Sequence, residues 1–430
     1  MKLDKSRELF ERSKKSLAGG TSSWVRMTEP APLFFKRGKG SHLYDVDGNE
    51  HIDYILGQGP NIFGHAPDFL REAVVRGMQL GQVFGGQHPA EIRVSETIQK
   101  VVPCAELVRY AATGTEAVQA ALLLAHAYTG RPRFIKFEGQ YHGWMDSVNY
   151  IPNPSAHLAG ADEVLPPVPM SAGTAPSTAD EIIVLPWNDI KVLTKALDRH
   201  GEEVAAIITE PIMCNTNCIF PKPGYLEDMR RLCDERGIVL IFDEVITGFR
   251  VALGGAQELL GVTPDLATFA KAMAGGFPVS MIAGKREIME LMEDSTVQHG
   301  GTTNSNFMAI YAVEAELTKL LKDDGAVYKQ LYKTGGRLME GLKELAMKHE
   351  HPMLIQGPGP TFFVSFTDAA EITDYRSHRR NVDQDKYQVF HRGMRDRGVR
   401  LNTSGQWYVS TAHAEEDIER TLAAADEVCL

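Results

Sequence analysis

The sequence contains no run of apolar residues approaching the roughly 20 that a bilayer span requires. It also lacks a basic cluster beyond short patches such as Arg376-Ser-His-Arg-Arg380, which reads as surface, and its formal net charge is −11. That balance argues against a nucleic-acid footprint. The opening stretch, Met1-Lys-Leu-Asp-Lys-Ser-Arg-Glu8, is charged and carries no apolar signal core. Together these absences predict a cytoplasmic protein with neither a membrane nor a nucleic acid among its partners. Cysteine is scarce, with five in 430 residues, an odd number without framework spacing. Cys214 and Cys218 stand four apart with no second ligand pair, so they read as reduced thiols in a loop and not as a metal or redox pair. There is no internal repeat and no long low-complexity tract.

What is present is ordinary for a globular chain: 43% apolar and 23% charged residues, in a length that suits two or three structural units. Ala205–Glu210 reads as a buried strand. Tyr225–Arg236 reads as a helix with Leu226, Met229, Leu232 and Cys233 on one face, stopped by Gly237. Ile238–Phe242 is the next strand, and strand, helix, strand implies a parallel sheet. Ligands gather at the carboxyl ends of such strands. Asp47-Gly48-Asn49 between alternating arms signals a hairpin. Residues 152–180, rich in Pro, Gly, Ser and Ala, read as a long loop of the active-site-cover kind. Asn306–Leu321 reads as one helix.

Two apolar runs carry the chemistry. Ile238–Asp243 ends in a carboxylate, and Pro264–Lys271 ends in an amine 28 positions later, followed by Gly275 and Gly276. Either alone is commonplace: an acid can cap a helix, and a lysine can reach to the surface. In this order they suit pyridoxal phosphate (PLP). Lys271 would hold the cofactor aldehyde as a Schiff base, and Asp243 would keep the pyridine nitrogen protonated so that the ring accepts electrons. Thr113-Gly114-Thr115-Glu116 opens an Ala- and Leu-rich helix, so it is either an ordinary N-cap or an anion site. With Lys271 present it is taken as the phosphate cup. Tyr141 follows the strand Phe134–Phe137 and either caps the core or stacks on the cofactor ring. Asn215, beyond Glu210-Pro211, is either a turn residue or a polar neighbour of the cofactor. Gly300-Gly301-Thr302-Thr303 would let backbone approach a ligand.

Asp243-Glu-Val-Ile-Thr-Gly-Phe-Arg250 and Ala270-Lys271-Ala-Met-Ala-Gly-Gly-Phe-Pro278 resemble the signature of class III (ω-type) aminotransferases, in the branch that contains glutamate-1-semialdehyde 2,1-aminomutase. The resemblance covers nearly the whole chain. It implies the α/β fold type I of aspartate-aminotransferase-like enzymes: a large, mostly parallel-sheet PLP domain over 56–314 and a smaller α+β domain over 315–430, joined by an N-terminal segment over 1–55. It implies that Gly114 and Thr115 bind the PLP phosphate, that Tyr141 and Val245 lie on opposite ring faces, and that Asn215 nears the phenol oxygen with Glu210 in support. Thr302, in preference to Thr303, would reach the phosphate of a partner subunit, making a homodimer functional. Gly19-Gly-Thr-Ser-Ser-Trp-Val-Arg26 resembles the aminomutase segment whose arginine binds a substrate carboxylate, a task suited to a planar guanidinium. Trp24 would form an apolar wall.

The implied function is amino transfer between an amino acid or amine and a 2-oxo acid, with Lys271 moving the proton and Asp243 stabilising the carbanion. The alternatives are an intramolecular aminomutase and a PLP-dependent racemase. The chain departs from the aminomutase pattern at Gly405, where that branch has glutamate, and in its proline-rich loop after Tyr150. Trp24, Trp407 and Tyr408 suggest an aromatic or β-amino acid donor, or else core.

Overall fold

Seven strands form the central sheet of the computed structural model, in the order Leu107–Ala111, Ser280–Gly284, Leu266–Phe269, Val239–Asp243, Val204–Thr209, Arg133–Phe137 and Ile182–Leu185. The model describes residues 1–430 except 29, 153, 154, 156–165, 294 and 430, and the side chain of 324. Ser280–Gly284 runs antiparallel to both neighbours, and the other pairings from Leu266–Phe269 to Ile182–Leu185 are parallel. The expected mixed α/β architecture with a large, mostly parallel sheet is therefore present. Its central strands are buried along their whole length, as continuous apolar runs covered on both faces must be. Register then does the positioning. Phe242 stands opposite Thr209 and Asp243 opposite Thr268, so the strands leading to Glu210, Asp243 and Lys271 end side by side.

The helix Tyr225–Arg236 forms where expected and stops at Gly237 in the left-handed conformation. The Asp47–Asn49 turn joins the antiparallel strands His42–Asp45 and Glu50–Asp53. Beside Glu50–Asp53 lies Val399–Arg400, in parallel, so the two ends of the chain share one small sheet. Asp53 accepts N–H groups from Ile55 and Leu56 and pairs with Arg400 at 3.0 Å. Burial pushes its carboxyl up, yet Arg400 and His65 overcome this and hold it at about 2. Ser41 Oγ donates to Asp417 at 2.7 Å, and Tyr54 and Thr421 hydroxyls meet at 2.9 Å. A third sheet orders Met353–Gln356, Thr361–Phe366 and Gln406–Tyr408. Phe307–Leu320 forms a single helix against Asp68–Leu80, and residue 315 falls inside it.

Several readings change. Arg376 is not surface: it is buried, with Nε and Nη2 each donating to Glu138 at 2.9 Å. An arginine run looks exposed in sequence, and its carboxylate partner lies 238 residues away. Trp407 and Tyr408 are core residues, so they give no hint of a donor, whereas Trp24 is 68% exposed. Of the expected loop, 153, 154 and 156–165 lie outside the described residues. The remainder holds the strand Val168–Pro169, paired with Tyr150–Ile151, and a 3₁₀ helix over Pro176–Glu181. Cys214 and Cys218 are free and buried. Among the described residues no helix is long and apolar enough to cross a membrane, and no group of three or more His, Cys, Asp or Glu could hold a metal.

Candidate active site

The ends of three adjacent strands open into a cavity of about 180 Å³ lined by Asp243, Lys271, Glu210 and Tyr141, among others. Lys271 follows the strand Leu266–Phe269 at φ +43° and begins a 3₁₀ turn ended by left-handed Gly275. A lysine in this region is strained, and such strain persists where the surrounding fold over-determines it. Burial holds the Lys271 amine below its usual value, against the pull of Asp243 and Glu210 in the opposite direction. A lowered amine is a better nucleophile and proton carrier near neutrality.

Asp243 is fixed from two sides. Its Oδ1 accepts the Val245 N–H at 3.0 Å, and Oδ2 lies 2.7 Å from His142 Nδ1. Burial keeps His142 below its ordinary range despite that carboxylate. A neutral imidazole can donate from Nδ1 to that carboxylate. Among the described residues His142 Nε2 has no hydrogen-bond partner.

Glu210 gathers the opposite wall. Its Oε1 accepts the Tyr141 N–H and the Asn215 side-chain amide, both at 2.8 Å, and Oε2 accepts the Asn215 N–H at 3.1 Å. Burial raises its carboxyl to about 7. Gly114 and Thr115 start the helix Gly114–Thr129, where Thr113 and Glu116 form a reciprocal capping box. The expected N-cap is thus real, and it coexists with a cavity at the positive end of the helix dipole. A side chain at Gly114 would press on Val245 at 3.0 Å, and one at Gly143 would meet Thr115 at 2.7 Å. Both glycines keep the cavity open.

The structure thus brings together Gly114, Thr115, Tyr141, Glu210, Asn215, Asp243, Val245 and Lys271. It does not bring Arg26, Trp24 or Thr302 to this cavity. Arg26 lines a separate space of about 610 Å³ with Phe34, Phe35, Arg400 and Asn402. Thr302 is exposed. Sequence reasoning passed over His142, although it stands in the Tyr141-His142-Gly143 stretch and only its role was missing. The residues fit PLP: an amine for an aldehyde, a carboxylate for a ring N–H, N–H donors for a phosphate, and Tyr141 and Val245 in the same lining.

Comparison with known proteins places this geometry. The family model for class-III aminotransferases matches residues 24–416. Glutamate-1-semialdehyde 2,1-aminomutase of Methanocaldococcus jannaschii is 40% identical, over 100% of this chain and 98% of that protein. An omega-transaminase from Sphaerobacter thermophilus superposes with a TM-score of 0.92 at 31% identity, covering 99% of this chain and 97% of that one. A transaminase solved with PLP bound gives a TM-score of 0.90 at 26% identity, covering 100% and 98%. The match over most of the chain and the Lys271–Asp243 cavity lead to one conclusion: the protein belongs to the class-III aminotransferase family of PLP-dependent enzymes.

Proposed function

We propose that the chain moves an amino group within one substrate molecule, as an aminomutase of the glutamate-1-semialdehyde type. The observation that carries this is the 40% identity over the full chain to an enzyme of that name. The relatives thus favour the intramolecular alternative over transfer to a separate 2-oxo acid. Bound PLP supplies an aldehyde that exchanges amines and a ring that accepts electrons. Lys271 Nζ holds that aldehyde and then moves the proton at the reacting carbon. Asp243 holds the proton on the ring nitrogen, His142 orients Asp243, and the N–H groups at Gly114 and Thr115 bind the phosphate. Tyr141 and Val245 would flank the ring, and Glu210, which holds Asn215, would support it near the ring oxygen. Arg26, which lines the separate space beside Asn402, would take the substrate carboxylate only with its segment brought to the Lys271 cavity, Trp24 then forming an apolar wall.

Gly405 favours the second reading, transfer between an amino acid or amine and a 2-oxo acid. It stands at φ +112° where the aminomutase branch has glutamate, and any side chain there would collide with the Phe363 ring. Turnover with and without an added oxo acid decides between the two. Activity that requires pyruvate or 2-oxoglutarate overturns the first reading.

Two further proposals accompany this. Val75, Met78, Leu80, Val83 and Phe84 form an exposed apolar stretch, and Phe84 packs on Phe307, which the loop through Thr302 leads into. A second copy covering this face would make the protein a homodimer and carry Thr302 to the partner's phosphate. Residues 1–55 and 315–430 act as a smaller unit beside 56–314, supported by the pairing of Glu50–Asp53 with Val399–Arg400. A cytoplasmic location belongs with these proposals, and cell fractionation tests it.

A further inference from the structure

The strand Arg133–Phe137 alternates its side chains across the sheet, and Phe134 points into an apolar cluster that includes Val148, Tyr150, Ala206 and Ile208. Two residues on, the same face calls for another apolar side chain. It holds Lys136, which is buried. Removing an ammonium group from water costs several kcal/mol unless something compensates. The compensation here is unusual, because no carboxylate bonds to it among the described residues. Lys136 Nζ donates to two backbone carbonyls, Val148 at 2.8 Å and Tyr150 at 3.1 Å.

Those carbonyls belong to the segment that runs from the strand end at Phe137 to Ile151. Tyr141, His142 and Gly143 of this segment line the cofactor cavity. Its start is held by the buried Glu138–Arg376 pair. Its end has Tyr150 bonded to Thr178 at 2.7 Å and paired with Pro169. Between these points Lys136 reaches out of the sheet and grips the segment from inside. Gly143, at φ +105°, is pressed to the helix start at Thr115, so a shift of the segment would move cavity-lining atoms directly.

We infer that Lys136 is a positioning residue for the cofactor pocket: its buried amine ties Val148 and Tyr150 to the sheet and so sets Tyr141, His142 and Gly143 against PLP. Electrostatics agree with the geometry. Burial brings the Lys136 amine down to about 8, with Glu210 and Asp243 opposing that shift. Its charge in turn helps to keep His142 neutral.

The inference rests on the cavity being the PLP site, which uptake of PLP by the wild-type apoprotein checks separately. The test is Lys136→Met, which keeps the stem and removes the donor. Apoprotein is titrated with PLP, melted, and followed by amide hydrogen exchange. The expected result at pH 7 is a roughly tenfold loss of PLP affinity, about the value of one charge-assisted hydrogen bond. Exchange should quicken across 141–151 and not in the strand Val204–Thr209. The apoprotein melt should hold or rise, because the variant no longer buries an amine whose folded value lies below its unfolded one. Affinity within twofold of wild type overturns the inference. So does a variant that fails to fold, or one whose melt and sheet protection fall together, since Lys136 would then be a general structural pin.

Discussion

The cavity around Asp243 and the outer surfaces carrying Arg26 and Thr302 are built differently. In the cavity Asp243 and Glu210 stand at strand ends and are held by several hydrogen bonds, and one chain suffices to assemble eight of the expected residues. Arg26 sits on a short 3₁₀ turn in the N-terminal segment, and Thr302 in an exposed loop. The difference separates two kinds of work. Cofactor chemistry needs atoms fixed within fractions of an ångström, which sheet register provides. The proposed roles in substrate choice and subunit pairing fall on segments that can vary without disturbing that register.

If this division is right, changes in the cavity should cost rate, and changes outside it should cost affinity. The largest effect is expected for Lys271→Ala. Amino transfer should fall by roughly 10⁴-fold, the upper range for a positioned acid–base group, while PLP still binds without a covalent bond. Borohydride trapping checks this, and PLP still trapped on the variant would move the covalent site elsewhere. Asp243→Asn should lower the rate by about 10²-fold or more and change PLP affinity far less, since losing the carboxylate lowers the ring nitrogen's pKa. Equal turnover in variant and wild type would remove Asp243 from its role.

Outside the cavity the comparison predicts selectivity. Arg26→Ala should raise KM for carboxylated donors by an amount worth about 1.5–3 kcal/mol and leave simple amines nearly untouched. Lysine there should restore only part, lacking the planar fork. Equal losses for both donor classes would make Arg26 structural. The smallest effect belongs to Thr302→Ala, which should weaken PLP binding by about 1 kcal/mol. In the wild type that contribution should vanish on dilution below the dissociation range of the proposed dimer. A Thr302 contribution independent of protein concentration would break the link to a second copy.

The same division describes what could be read from residues alone. Asp243 and Lys271 were legible only as a pair: either alone at the end of an apolar run is commonplace, and the acid followed by the amine suits one cofactor. The helix Tyr225–Arg236 and the Asp47–Asn49 turn were legible because their signals are local. The His142–Asp243 contact spans 101 residues and the Glu138–Arg376 pair spans 238, so neither leaves a trace in spacing. Lys136 lay inside an apparent apolar strand, where nothing local distinguishes a buried amine from one that reaches solvent. Trp407 and Tyr408 stayed open between a donor pocket and the core for the converse reason, since an aromatic pair looks alike in both, and they are core.

The parallel pairing of Glu50–Asp53 with Val399–Arg400 has a consequence for the order of events at the ribosome. Asp53 emerges 347 residues before Arg400, its charge partner. Throughout that interval the strand presents an open edge, the kind of surface that recruits foreign strands. Asp53 has its N–H donors from Ile55 and Leu56 close by in sequence, but its guanidinium partner comes 347 residues later, and the Asp417 acceptor of Ser41 comes 376 residues after it. Until Val399–Arg400 is made, that first sheet stays one strand short, with the edge of Glu50–Asp53 open.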